Sequence, residues 1–232
     1  KNFFQGVVKN ETINIGKDSI YNFLNSPRYN WRRFTLLLGS KIYILIRHLM
    51  DNPSEEEVLI FDDSTYSRNR SKKVELLSRV FDHNSGKYLK GFRLLTLGWS
   101  DGNSFLGLDF ALLSSAKKSN RYNEVTKPLD KRTCGYRRRQ EAMTKSTELL
   151  EPMLKRALNI GIRAKYLLMD SWFSSPSIIS TFCQHMHVIC MLKDHPHWYY
   201  EYNGKKLRLR DLYSKLKKKR GKAQIKAEAT VK

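Results

Sequence analysis

Two segments of this 232-residue chain run an apolar stretch straight into an aspartate: Val58-Leu59-Ile60-Phe61-Asp62-Asp63-Ser64-Thr65 and Tyr166-Leu167-Leu168-Met169-Asp170-Ser171-Trp172-Phe173. A buried strand excludes water, so a carboxylate at its exit must find hydrogen-bond donors or a cation; an unpaired buried charge costs roughly several kcal/mol. Asp62 and Asp170 are 108 residues apart. If the second strand lies parallel to and beside the first, both carboxylates reach one sheet edge, where a divalent cation could bridge them. Singly, each aspartate reads more simply as a turn or cap residue. Asp63 is expected to be that kind of residue, with Ser64 and Thr65 as turn partners. The pairing of the two segments is what favours a metal site.

Charge narrows the partner. Lys and Arg total 43 against 22 Asp and Glu, a net +21, which points to a polyanion and to salt-sensitive binding. The hydrophobic content of 41%, with four Trp, is enough for a true core and excludes a disordered basic tail. Three cysteines without CxxC spacing indicate neither a disulfide framework nor a zinc ribbon, so a reducing, cytoplasmic setting is expected. Cys183, His185, His187, Cys190, His195 and His197 tempt a zinc reading, but their offsets fit no finger or knuckle. The apolar run from Phe34 to Met50 is broken by Lys41, Arg47 and His48, so no membrane span is expected.

Helical spacing of Phe23, Leu24, Phe34, Leu37, Leu38, Ile42, Leu45, Ile46 and Leu49 predicts helix from about Ser19 to Met50, interrupted at Pro27, with a boundary at Asp51-Asn52-Pro53. Strands follow at 58–64, 92–99 and 105–113, the last two joined by an Asp101-Gly102 hairpin. A long basic loop is expected over 114–136 and a helix over 137–160, kinked at Pro152, ended by Gly161 and carrying Glu141/Lys145 and Glu151/Lys155 pairs. Strand 164–170, helix 176–185 and strand 188–192 complete a β-β-β-α-β-α-β order. From His197 the character changes: aromatic residues precede an Asn203-Gly204 turn, then a basic helical run over 212–220. The expected divisions are a helical segment (1–53), an α/β core (54–196) and the start of a β-containing insertion (197–232).

On Ile60-Phe61-Asp62-Asp63-Ser64-Thr65 and Leu167-Leu168-Met169-Asp170-Ser171-Trp172-Phe173, placed in this order of elements, the chain resembles insertion-sequence transposases of the DDE class from about residue 55 onward. The resemblance implies a ribonuclease-H-like α/β mixed sheet with Asp62 and Asp170 as catalytic ligands of two Mg²⁺ (or Mn²⁺) ions. It implies cleavage of phosphodiester bonds at transposon ends, joining of the 3′-hydroxyls to double-stranded target DNA, and work as a homodimer on DNA. In that family a third carboxylate, a glutamate, follows a β-rich insertion within a tyrosine, arginine, glutamate, lysine signature. None is seen here, so the chain is expected to end inside the insertion and to be inactive as it stands. The rivals are a DNA-binding remnant that cannot cut and a ribonuclease-H-like nuclease or resolvase. Arg68, Arg70, Lys72 and Lys73, close behind Asp62, are expected beside the active edge on DNA phosphates. Trp172 and Trp198 are candidates for base stacking.

Overall fold

The computed structural model describes residues 15–49, 57–221 and 224–231. Six α-helices and eight strands are formed among them: α1 (Lys17–Asn25), α2 (Trp31–Leu49), β1 (Val58–Ser67), β2 (Ser78–Asp82), β3 (Lys87–Ser100), β4 (Phe105–Leu113), α3 (Cys134–Glu141), α4 (Ser146–Asn159), β5 (Tyr166–Met169), α5 (Pro176–Cys183), β6 (His187–Cys190), β7 (Tyr200–Tyr202), β8 (Lys205–Leu207) and α6 (Leu209–Lys215). The main sheet runs β4-β3-β1-β5-β6, with β2 on the first residues of β3. β3 is antiparallel to β1, β2 and β4, whereas β5 and β6 run parallel to β1. This is the ribonuclease-H-like mixed sheet. β7 and β8 form a separate hairpin around Asn203 and Gly204, both at positive φ, which a two-residue turn requires.

Alternation sets the core. Leu59 and Phe61 of β1, Leu95, Leu97 and Trp99 of β3, and Leu167 and Met169 of β5 all point to one face. There they meet Leu36 and Tyr43 of α2, Leu150, Met153 and Leu154 of α4, and Phe182 of α5. The alternate residues Val58, Ile60, Leu94, Thr96 and Leu168 face the other way and are only half-buried. Glu57, buried just before β1, accepts from Tyr43 Oη and Trp99 Nε1 and pairs with Arg47, locking α2 to the sheet. Among the described residues, no helix is long and apolar enough to cross a membrane.

Several expectations need correction. β2 has no counterpart among the expected strands at 58–64, 92–99 and 105–113; its Ser78 and Val80 turn inward, but two inward residues make too short an alternation to notice. The order among the described elements is therefore β-β-β-β-α-α-β-α-β before the hairpin. The helix over 137–160 is two helices, broken at residues 142–145, and Glu141 pairs with Arg32 rather than with Lys145. The Glu151–Lys155 pair does form, at 2.6 Å, and Pro152 lies inside α4. Residues 217–220 are not helical: α6 starts earlier and stops at Lys215, where consecutive lysines offer nothing to bury. Residues 224–231, including Glu228, carry no regular structure.

The buried stripe of α2 also differs. It consists of Leu36, Gly39 and Tyr43, while Phe34, Leu37, Leu38, Leu45 and Leu49 are exposed. The helix is apolar nearly all round, so period alone cannot choose a face. At Gly39 a Cβ would sit 2.9 Å from Leu108 Cδ2, so glycine lets α2 settle against β4 without displacing that side chain. Met50 and the Asp51-Asn52-Pro53 boundary lie outside the described residues.

Candidate catalytic carboxylate pair

Parallel pairing between β1 and β5 runs from Val58↔Tyr166 to Phe61↔Met169. The next residue on each strand is an aspartate, Asp62 and Asp170, and Asp170 keeps extended backbone angles (φ −69°, ψ 159°). Phe61 and Met169 are buried on the helical face, so the residues after them turn to the opposite face together. Asp62 and Asp170 are both exposed there. The fold thus sets the two carboxylates side by side on the open face, at the point where β1 and β5 part.

Asp62 is not at a strand exit. β1 continues five residues past it, held by β3 through pairs from Asp62↔Thr96 to Ser67↔Gly91. What stops at Phe61 is the pairing with β5. The polar sequence Asp62-Asp63-Ser64-Thr65 looks like a terminus, yet one bonded neighbour is enough to carry the strand onward.

The same alternation sends Asp63 to the helical face, where the Arg93 guanidinium grips it; Arg93 Nε donates to Oδ1 at 3.1 Å. Burial pushes the Asp63 carboxyl above its ordinary value, and Arg93 offsets only part of that. Asp63 is thereby engaged in an ion pair and Asp62 is not: among the described residues the Asp62 carboxylate has no hydrogen bond or ion pair. Asp170 accepts from the Ser171 amide as the cap of a short 3₁₀ turn, Ser171–Phe173. That contact fixes the side chain and leaves its second oxygen for another partner.

The basic cluster is not where the sequence suggested. Because β1 is longer, Arg68, Arg70, Lys72 and Lys73 follow its far end, on the order of 20 Å along the strand from Asp62 at about 3.3 Å per residue. All four are exposed, with the Arg68 guanidinium over the Tyr66 ring. Nearer Asp170, the half-exposed Trp172 ring is flanked by the Arg93 guanidinium at 5.4 Å and the Lys193 ammonium at 5.3 Å. Arg93 and Lys193 carried no sequence signal beyond their charge. Trp198 lies further on, stacked on His195 with ring centroids 4.7 Å apart.

Two exposed carboxylates with no basic side chain paired to them are hard oxygen donors suited to a divalent cation. No group of three or more His, Cys, Asp or Glu that could hold a metal ion is assembled among the described residues. Glu201 sits exposed in β7, and the Cys/His segment from Cys183 to His197 does not form a cluster either.

The family model described as DDE superfamily endonuclease matches residues 5–192 of the chain. No curated protein matches. Among solved structures, the Drosophila P element transposase strand transfer complex is similar at 12% identity and a TM-score of 0.25, covering 73% of this chain. This chain spans 37% of that one, and a likeness this slight carries no argument.

Proposed function

We propose, from the premise that this chain belongs to the DDE superfamily endonucleases, that Asp62 and Asp170 are two of the carboxylates with which a transposase cuts DNA at element ends and joins the 3′-hydroxyls to a target. Members of this family act with divalent metal ions. The observation that carries the reading is the β1/β5 register, which brings two carboxylates from distant parts of the sequence to adjacent positions on one open face.

Asp62 and Asp170 would hold Mg²⁺ or Mn²⁺, in the two-ion arrangement the resemblance implies. Bound there, the ions supply a more acidic water or 3′-hydroxyl nucleophile and neutralise charge on the scissile phosphate. The chain's own contribution is placement. Strand pairing with β3 fixes Asp62, the end of β5 and the Ser171 amide position Asp170, and the Asp63–Arg93 pair keeps a third carboxylate out of competition. Trp172, two residues after Asp170, carries Lys193 over its ring, a combination suited to stack on an unpaired base and to hold a phosphate. Arg68, Arg70, Lys72 and Lys73 would contact duplex further out, and Trp198 would reach bases from the β7–β8 region. In this reading the protein acts as a homodimer on double-stranded DNA in the cytoplasm.

A second reading is favoured by one observation: no third carboxylate joins the pair among the described residues. A chain with two ligands would bind DNA and not cut it. Nicking of supercoiled plasmid in Mn²⁺ by the full-length protein separates the two. The transposase reading predicts nicking that disappears when a chelator removes the ion. Binding in a gel shift with no nicking at any Mn²⁺ concentration favours the remnant.

A further inference from the structure

Arginines crowd the outer edge of the sheet. A cavity of about 650 Å³ between the α1–α2 junction, β4 and α3 is lined by Arg32, Arg137, Arg138, Arg139 and Arg156, and no carboxylate lines it. Two carboxylates lie behind the wall. Asp109 takes Arg32 Nε at 2.8 Å and Arg156 Nε at 2.7 Å, and Glu141 takes both terminal nitrogens of Arg32. Arg139 is matched separately by Glu75. That leaves Arg32, Arg138 and Arg156 sharing two negative charges, with exposed Arg137 at the rim.

Arg138 is the surplus. Its contacts are a long bond to the Phe110 carbonyl, 3.3 Å, and the Phe110 ring, 4.5 Å away. Burial and the like charges of Arg32 and Arg156 push its guanidinium below the ordinary arginine value, against the pull of Glu141 and Asp109. Arg156 Nη2 is buried with no hydrogen-bond partner. A desolvated cation and an idle donor beside one cavity are the two things an anion would satisfy.

Position says which anion. Asp62 pairs with Thr96 and Thr96 with Phe110, so these three side chains stand in one row on the same face. Phe110 is two strand spacings from Asp62, roughly 10 Å, which is about three base-pair steps of duplex at about 3.4 Å each. Aromatic rings stand at the cavity mouth: Tyr29 is about half exposed, and Trp31 packs edge-on to Phe23 at 5.2 Å. Interleaved arginines and aromatic rings suit a nucleic acid better than a free ion.

We propose that this arginine cavity is a second DNA contact, in which Arg138 and Arg156 hold a backbone phosphodiester a few nucleotides from the one at Asp62 and Asp170. The inference rests on DNA being the substrate, as argued above.

The test compares the chain with Arg138→Gln and Arg138→Lys, using a fluorescein-labelled duplex of arbitrary sequence over a salt series. Arg138→Gln should weaken binding about ten-fold and make the dependence of log affinity on log salt shallower by about one. Arg138→Lys, which keeps the charge, should recover most of the salt slope. In anion-free buffer Arg138→Gln should melt at the same temperature as the parent or higher, since it removes a half-buried charge that repels Arg32 and Arg156. Unchanged affinity and slope overturn the proposal, as does a fall in melting temperature that accompanies the loss of binding, which marks a structural role. Inorganic phosphate that raises the parent's melting temperature while Arg138→Gln binds duplex normally also overturns it, assigning the cavity to a free ion. Plasmid nicking in Mn²⁺ on the same preparations reports separately on the catalytic reading, which can fail while the phosphate contact stands.

Discussion

In the full-length protein, Asp62→Ala is expected to reduce ion-dependent cleavage by on the order of 10³-fold or more while changing duplex affinity by less than about two-fold. The asymmetry follows from where Asp62 stands. Its side chain is exposed, packs into nothing and carries no ion pair, so its removal leaves β1 paired to β3 and the core face intact. Binding rests on a net charge of +21, of which one carboxylate is a small and unfavourable part. Asp170→Ala should lose cleavage equally but also some local order, because Asp170 caps the Ser171–Phe173 turn. Asp63→Asn tests the choice between neighbouring aspartates: cleavage should persist. Plasmid nicking and fluorescence anisotropy on the three variants check the set. An Asp62→Ala protein that nicks like its parent contradicts the assignment.

Asp109→Asn is expected to cost about 3–5 kcal/mol of stability, among the largest effects available to a single substitution here. The Asp109 side chain is fully buried between the guanidiniums of Arg32 and Arg156, so it ties α2 and α4 to β4 at one point. The amide keeps the shape and loses the charge, leaving two cations facing each other out of water. Urea unfolding should show a lower midpoint at unchanged slope, the mark of a stability change without a change in the surface exposed. A loss below about 1 kcal/mol for Asp109→Asn would mean that the Glu141 carboxylate alone suffices for the cluster.

How far these features could be read from sequence depended on whether the signal was local. The strand-and-aspartate segments at 58–62 and 166–170 were legible because a short apolar run ending in a carboxylate is unusual, and two of them with a helix between imply parallel neighbours. The turns at Asp101-Gly102 and Asn203-Gly204 were legible because they need positive φ, and Gly102 (+91°) and Asn203 (+48°) adopt it. β2 was not, since two inward residues do not make a pattern. The face of α2 was hidden because apolar residues lie nearly all round the helix, so period alone cannot choose a face. Asp109 and its arginines were hidden for another reason: a lone acid in the apolar run Phe105–Leu113 means nothing until Arg32 and Arg156 are seen to converge on it. The displacement of Arg68–Lys73 from the aspartates has the same root, because the length of β1 is set by β3 and not by its own residues.

The central claim is that Asp62 and Asp170 together hold a divalent cation. Crystals of the protein soaked in Mn²⁺, measured at the manganese absorption edge, test it directly. The account predicts an anomalous peak between the two carboxylates, absent from crystals of Asp62→Asn. A peak elsewhere, or one that survives both Asp62→Asn and Asp170→Asn, would contradict it.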